Sequence, residues 1–143
     1  MSILSFNDVS FSYSNSQVFS NINFEMNEAE FVFLIGKSGS GKSTFLKLIY
    51  MDLIPQNGYI QFANYDSLGI KQRAIPKLRQ KIGVVFQDFK LLKNRNVTDN
   101  LSFVLNVVKT PSRKMKIKIN EALSSVGLLH KKNNFPDELS GGE

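Results

Sequence analysis

"EFVFLIGKSGSGKSTFLKLI", residues 30–49, is the stretch on which the fold of this chain turns. Phe31 to Ile35 are apolar without alternation, the pattern of a strand buried on both faces as in a parallel sheet. The run passes straight into glycines, and then into a segment whose Phe45, Leu46, Leu48, Ile49 and Leu53 recur at helical spacing over 42–54. Between strand and helix, "GKSGSGKS" at 36–43 satisfies G-x-x-x-x-G-K-[ST] in full. Glycines at 36, 39 and 41 let the backbone bring its N–H groups close to phosphate, and the helix start adds unpaired donors and a positive dipole end. Lys42 then reaches the β- and γ-phosphates as a point charge. Ser43 offers its hydroxyl to Mg²⁺, and Thr44 supports the phosphates one step further in. The residues Gly36, Lys37, Ser38, Gly39, Ser40, Gly41, Lys42, Ser43 and Thr44 thus predict a site for a nucleotide di- or triphosphate with Mg²⁺.

Upstream, "ILSFNDVSFSY" (3–13) and "VFSNINFEM" (18–26) alternate as antiparallel strands do. Downstream, "PQNG" (55–58) reads as a turn before a strand "YIQF" (59–62), and "AIPKLRQ" (74–80) as a short helix. "KIGVVFQ" (81–87) reads as a second fully buried strand. Beyond it the pattern turns helical: Met115, Ile119, Ala122, Leu123 and Val126 keep one face apolar, with Gly127 where a C-cap belongs. A mixed sheet with its phosphate loop is expected over 1–88, and a helical segment over 89–143.

Bulk properties narrow the class. The 143 residues are 42% hydrophobic and 21% charged, as in globular proteins. There is no cysteine, which excludes disulfides and thiolate zinc sites and suits a reducing cytosol. No signal-peptide pattern or membrane-length apolar run is present, so a cytoplasmic protein is expected. The net charge of +6 is uneven: residues 1–70 hold three lysines against six acids, and residues 71–143 fifteen basic residues against six acids. The cluster Lys109 to Lys118 could face anionic lipid headgroups or simply solvent. A guanine-reading N-K-x-D is absent, and "DSLG" (66–69), which imitates a GTPase D-x-x-G, reads as a polar loop.

Further motifs stand in register with the phosphate loop. Tyr13 precedes it, Gln87 in "VVFQD" follows it, and "LSGGE" (139–143) puts Ser140 98 positions beyond Lys42. Together they resemble the ATP-binding cassette (ABC) ATPases over essentially the whole chain. The resemblance implies an α/β P-loop NTPase core of ABC type with an antiparallel β subdomain and a helical subdomain. It implies that Tyr13 stacks on adenine with Val18 beside the ring, and that Gln87 senses Mg²⁺ and the γ-phosphate, with Lys42 and Gln87 as the catalytic pair. Leu139, Ser140, Gly141, Gly142 and Glu143 match the signature, which in the family meets ATP held by the other subunit of a head-to-tail dimer.

The family's Walker B aspartate and glutamate and its switch histidine come after the signature. The 143 residues are therefore expected to stop before the Walker B strand and to hydrolyse essentially no ATP alone. His130 precedes the signature and is expected to be a surface or loop residue. "RQKIGVVFQDFKLLKNRNVTDNLSFVL" (79–105) resembles the cell-division branch of the family, which works with an integral membrane partner of permease type at the inner face of the plasma membrane. Lipoprotein- and macrolide-type exporter ATPases and amino-acid importer ATPases share the pattern more weakly. A nucleic-acid-linked ABC ATPase is disfavoured by the short interval between phosphate loop and signature, so no nucleic-acid partner is expected.

Overall fold

The computed structural model describes residues 2–143, which fall into two compact units, 2–83 and 84–143. In the first, β1 (Ser2–Tyr13) and β2 (Ser16–Asn27) form the expected antiparallel pair. With β3 (Asn57–Phe62) and β4 (Tyr65–Asp66) they make a four-stranded antiparallel sheet in the order β2-β1-β3-β4. On β1 the buried residues are Leu4 and Phe6, then Val9 and Phe11, so the two-residue period slips by one between the pairs. Asp8 absorbs the slip. It stands at φ 49°, the register with both neighbouring strands shifts there, and the Asn23 side chain ties it down. Asn23 Oδ1 accepts from Asp8 N–H at 2.9 Å, and Asn23 Nδ2 donates to Asp8 Oδ1 at 2.8 Å. This is a β-bulge, and it lets both halves of the strand face one core.

The phosphate loop leads into α1 (Lys42–Ile49), which lies on that core. Leu48 is fully buried, and the Phe45 ring stacks on Phe6 at 4.4 Å with edge contacts to Phe24 and Phe19. The helix is shorter than its apolar spacing predicts. Met51 takes φ 55°, and the Asp52 and Leu53 N–H groups fold back onto the Lys47 carbonyl, an end of the left-handed capping type without a glycine. Arg79, the last residue of α2 (Ile75–Arg79), donates to the Tyr50 carbonyl at 3.0 Å and the Met51 carbonyl at 3.2 Å. It thereby satisfies carbonyls that the helix end leaves open.

Two expectations fail. Neither 31–36 nor 81–87 forms a strand, and apart from Ile82, which packs on the core, their apolar side chains are exposed, with Phe33 79%, Ile35 86% and Val85 97%. A strand of a parallel sheet is held by hydrogen bonds to neighbours on both sides. Among the described residues nothing pairs with either stretch, so hydrophobicity alone does not make them strands.

In the second unit α3 (Val97–Val107) packs against α4 (Ser112–Ser125). Asn96 caps α3, its side chain accepting from Asp99 N–H at 2.8 Å. Of the expected apolar face of α4, Ile119 and Leu123 are buried and Met115 is half-buried, while Ala122 and Val126 are exposed. Gly127 follows the helix at φ 74°, as its position predicts. Among the described residues no helix is long and apolar enough to cross a membrane.

Candidate functional site

The phosphate loop is a turn whose backbone turns inward on itself. Ser40 N–H donates to the Lys37 carbonyl at 3.2 Å, and Lys42 Nζ donates to the Gly36 and Lys37 carbonyls at 2.8 Å each. The first helical bond of α1 runs from Phe45 N–H to the Gly41 carbonyl at 2.8 Å. The N–H groups of Lys42, Ser43 and Thr44 precede it and are the orphan donors of a helix start, with no side-chain cap over them. Gly41 is the residue that makes this start possible. It stands at φ 91°, and a Cβ there would lie 2.7 Å from Val18 Cγ1 and 2.9 Å from the Phe19 ring. A left-handed residue pressed against β2 is open only to glycine.

Tyr13 and Val18 flank the same loop. The Tyr13 hydroxyl lies 3.4 Å from Thr44 Oγ1, which is buried, and its ring packs edge-on to Phe11 at 5.0 Å. Tyr13 is 44% exposed, so it is not sealed into the core. The first unit thus gathers Tyr13, Val18 and residues 36–44 around one loop. The loop fits a polyphosphate: it concentrates backbone donors, a helix dipole and two lysines, Lys37 and Lys42, and no carboxylate is hydrogen-bonded to it among the described residues. "DSLG" is a structural turn. Asp66 Oδ1 accepts from Gly69 N–H at 3.1 Å, and buried Ser67 Oγ accepts from Ile60 N–H at 2.9 Å.

In the second unit Gln87 is exposed at the head of a strained turn. Phe89 and Lys90, which follow it, stand at φ 56° and 53°, and Lys90 Nζ pairs with Asp88 at 2.7 Å. That bond holds the Asp88 carboxyl below the usual aspartate range and the Lys90 ammonium above its own. The Phe89 ring reaches the signature, 3.8 Å from where a Cβ on Gly141 would stand. Asn100 braces the intervening loop. Its side chain accepts from Leu92 N–H and donates to the carbonyls of Leu92, Arg95 and Asn96, all within 2.8–3.1 Å.

The signature closes on itself. Ser140 N–H and Ser140 Oγ both donate to Glu143 Oε2, at 2.9 and 3.0 Å, and Glu143 N–H faces Ser140 Oγ at 3.4 Å. This is the reciprocal S-x-x-E pattern with which helices open. The Ser140 N–H and hydroxyl, with Lys131 behind them, hold the Glu143 carboxyl below the usual glutamate range. Lys131 Nζ stands 3.4 Å from Glu143 Oε1. Asn100 and Lys131 carry no role in the sequence reading. The S-x-x-E spacing was a signal for the turn, but nothing local marks the lysine that pairs with it. His130 is exposed, as expected.

Comparison with known proteins adds relatives to this geometry. The family described as ABC transporter matches residues 19–143. The chain is 38% identical over 144 residues to the cell division ATP-binding protein FtsE of Streptococcus pneumoniae, covering 100% of this chain and 63% of that protein. It is 46% identical over 122 residues to FtsE of Mycobacterium tuberculosis, covering 85% and 53%, and 41% identical over 142 residues to FtsE of Escherichia coli K12, covering 99% and 64%. It therefore spans 53–64% of the length of these relatives. Among solved structures it superposes on cbiO1 of Clostridium perfringens, part of the transporter complex cbiONQ, with a TM-score of 0.86 at 30% identity, covering 99% of this chain and 57% of that one. A dimeric post-hydrolysis form of the ATP-binding cassette MJ0796 bound to ADP and Pi matches with a TM-score of 0.82 at 28% identity, covering 97% and 64%.

Proposed function

This chain belongs to the ABC transporter family, and from that membership we propose that the full-length protein is the ATP-binding subunit of an ABC-type complex acting in bacterial cell division. It binds MgATP at a head-to-tail homodimer interface and couples hydrolysis to an integral membrane partner, an FtsX-like protein of permease type. It sits on the cytoplasmic face of the plasma membrane, with an ATP-binding core at 1–88 and a helical subdomain at 89–143. The observation that carries the nucleotide site is the loop 36–44, with its orphan helix-start donors and the exposed Tyr13 beside it.

Each residue has a part in that reading. Tyr13 and Val18 hold the adenine. The backbone of Gly36, Lys37, Ser38, Gly39, Ser40 and Gly41 wraps the phosphates, and Thr44 extends the contact. Lys42 leaves the loop carbonyls it now holds and moves to the β- and γ-phosphates. Ser43 and Gln87 are the residues to hold Mg²⁺, which when bound neutralises charge that builds on the phosphate oxygens. Leu139, Ser140, Gly141, Gly142 and Glu143 present the signature to the nucleotide of the other subunit.

Steady-state hydrolysis tests the reading. The full-length protein should turn over MgATP, and Lys42→Ala should lower its turnover by about 100-fold or more. The 143-residue chain alone should hydrolyse essentially none. Full turnover by K42A, or turnover by the short chain equal to that of the full-length protein, would refute it. The likeness to cbiO1, part of a transporter complex, favours one second reading, an exporter or importer ATPase. Co-purification with a transport permease instead of a division protein would select it.

A further inference from the structure

The two donors of Ser140 are both spent on one oxygen of Glu143, which places a carboxylate where the signature would meet an anion. A triphosphate arriving there would face a like charge across the serine hydroxyl, a repulsive arrangement unless the carboxylate is neutralised. Lys131 is placed to do that. Its ammonium stands 3.4 Å from the other oxygen, Oε1, and the pair is 26% and 28% exposed. The remaining ion pairs of this unit, Lys90–Asp88 and Lys93–Asp137, are 63–79% exposed. Lys131 and Glu143 also line an apolar hollow of about 250 Å³ with Leu101, Leu123, Leu128 and Leu139. An ion pair bordering apolar side chains is screened less than one in open solvent.

Resting on the reading of Ser140 as a nucleotide-facing group, we propose that Lys131 is a positioning residue of the signature. It anchors and neutralises Glu143, whose carboxylate orients Ser140, so that the half-site meets a γ-phosphate without an uncompensated negative charge beside it. When the hydroxyl turns from Glu143 to a phosphate oxygen, Lys131 keeps the carboxylate paired. The role is electrostatic and acts through Glu143, which separates it from a packing role of the lysine stem.

The test is steady-state MgATP hydrolysis by the full-length protein carrying Lys131→Met, Lys131→Arg, Glu143→Gln and the double substitution K131M/E143Q. K131M is expected to raise the KM for MgATP about three- to tenfold with a smaller change in kcat, and K131R to stay near wild type. The double variant should fall within about twofold of E143Q alone, because no carboxylate charge is left to neutralise. ADP binding, made by the phosphate loop, should be unchanged in K131M. Should K131M lose its thermal transition, Lys131→Gln replaces it in the same series. A wild-type KM in K131M, or a K131M defect that E143Q does not relieve, overturns the proposal. Ser140→Ala in the same assay separates the two levels. Loss of activity in S140A with K131M unaffected sinks only the role of Lys131; wild-type behaviour of S140A sinks the signature reading and this role with it.

Discussion

Single residues in this chain are fixed by how closely backbones approach. Gly58 stands at φ 71° where β3 crosses the β1 bulge, and a Cβ there would fall on the Asn7 carbonyl oxygen and the Asp8 backbone. Neither neighbour can give way, because Asp8 is held by Asn23 and both lie in the sheet. Gly58→Ala should therefore cost about 3 kcal/mol or more, a left-handed penalty added to a backbone overlap. Urea unfolding of the full-length protein measures it, and a loss under about 1 kcal/mol would mean that the bulge is not rigid. "PQNG" reads as a turn before a strand at 59–62, yet Asn57 and Gly58 already belong to β3, and nothing local says that this glycine is locked against a bulge fifty residues upstream. Gly41 differs in that its requirement was legible, since the phosphate-loop pattern demands it. What the pattern did not contain is that Val18 and Phe19 on β2 do the pressing.

Elements were legible in proportion to how local their support is. The β1–β2 pair, α2 and α4 stand where alternation and helical spacing put them, because side chains two or four residues apart decide those patterns. α1 is shorter than its apolar run because Met51 turns left-handed and Arg79, from another helix, takes over the last carbonyls. α3 begins at Asn96, and the loop before it is organised by one side chain, Asn100. Asn100→Ala should release that loop while leaving the sheet intact. In hydrogen exchange the Leu92 amide, which donates to Asn100 Oδ1, should lose protection about tenfold or more, and the amides of β1 and β3 should not change. Unchanged protection at Leu92 would show that the loop is held by other means.

At the scale of the whole molecule the exposed runs at 31–35 and 84–86 stand out. Phe31, Phe33, Ile35 and Val85 are each more than three-quarters exposed, in segments rich in β-formers and without charge or proline. Such segments pair with any available edge. The 143-residue chain alone should accordingly self-associate at micromolar concentration, and Phe33→Lys should shift it towards monomer in sedimentation velocity. A monodisperse monomer without the substitution would show that the runs are protected in solution. The overall architecture, a P-loop ABC ATPase core with an antiparallel β subdomain and a helical subdomain, agrees with the sequence reading and with both solved relatives. Its two apolar runs show the limit of that reading: a composition suited to a buried strand identifies the candidate, and only a neighbouring strand makes it one.

By itself the sequence determined the family, the phosphate-loop pattern, the antiparallel pair and the buried pair Ile119 and Leu123 of α4. Apart from the family, which rests on motifs spread from Tyr13 to Glu143, these rest on residues within a few positions of one another, where spacing and stereochemistry suffice. The tertiary structure alone decided the bulge at Asp8, the lock on Gly58, the early end of α1, the unpaired state of 31–36 and 81–87, and the seat of Lys131 on Glu143. Each of these depends on which backbone or charge arrives from a distant part of the chain, and local spacing carries no record of that.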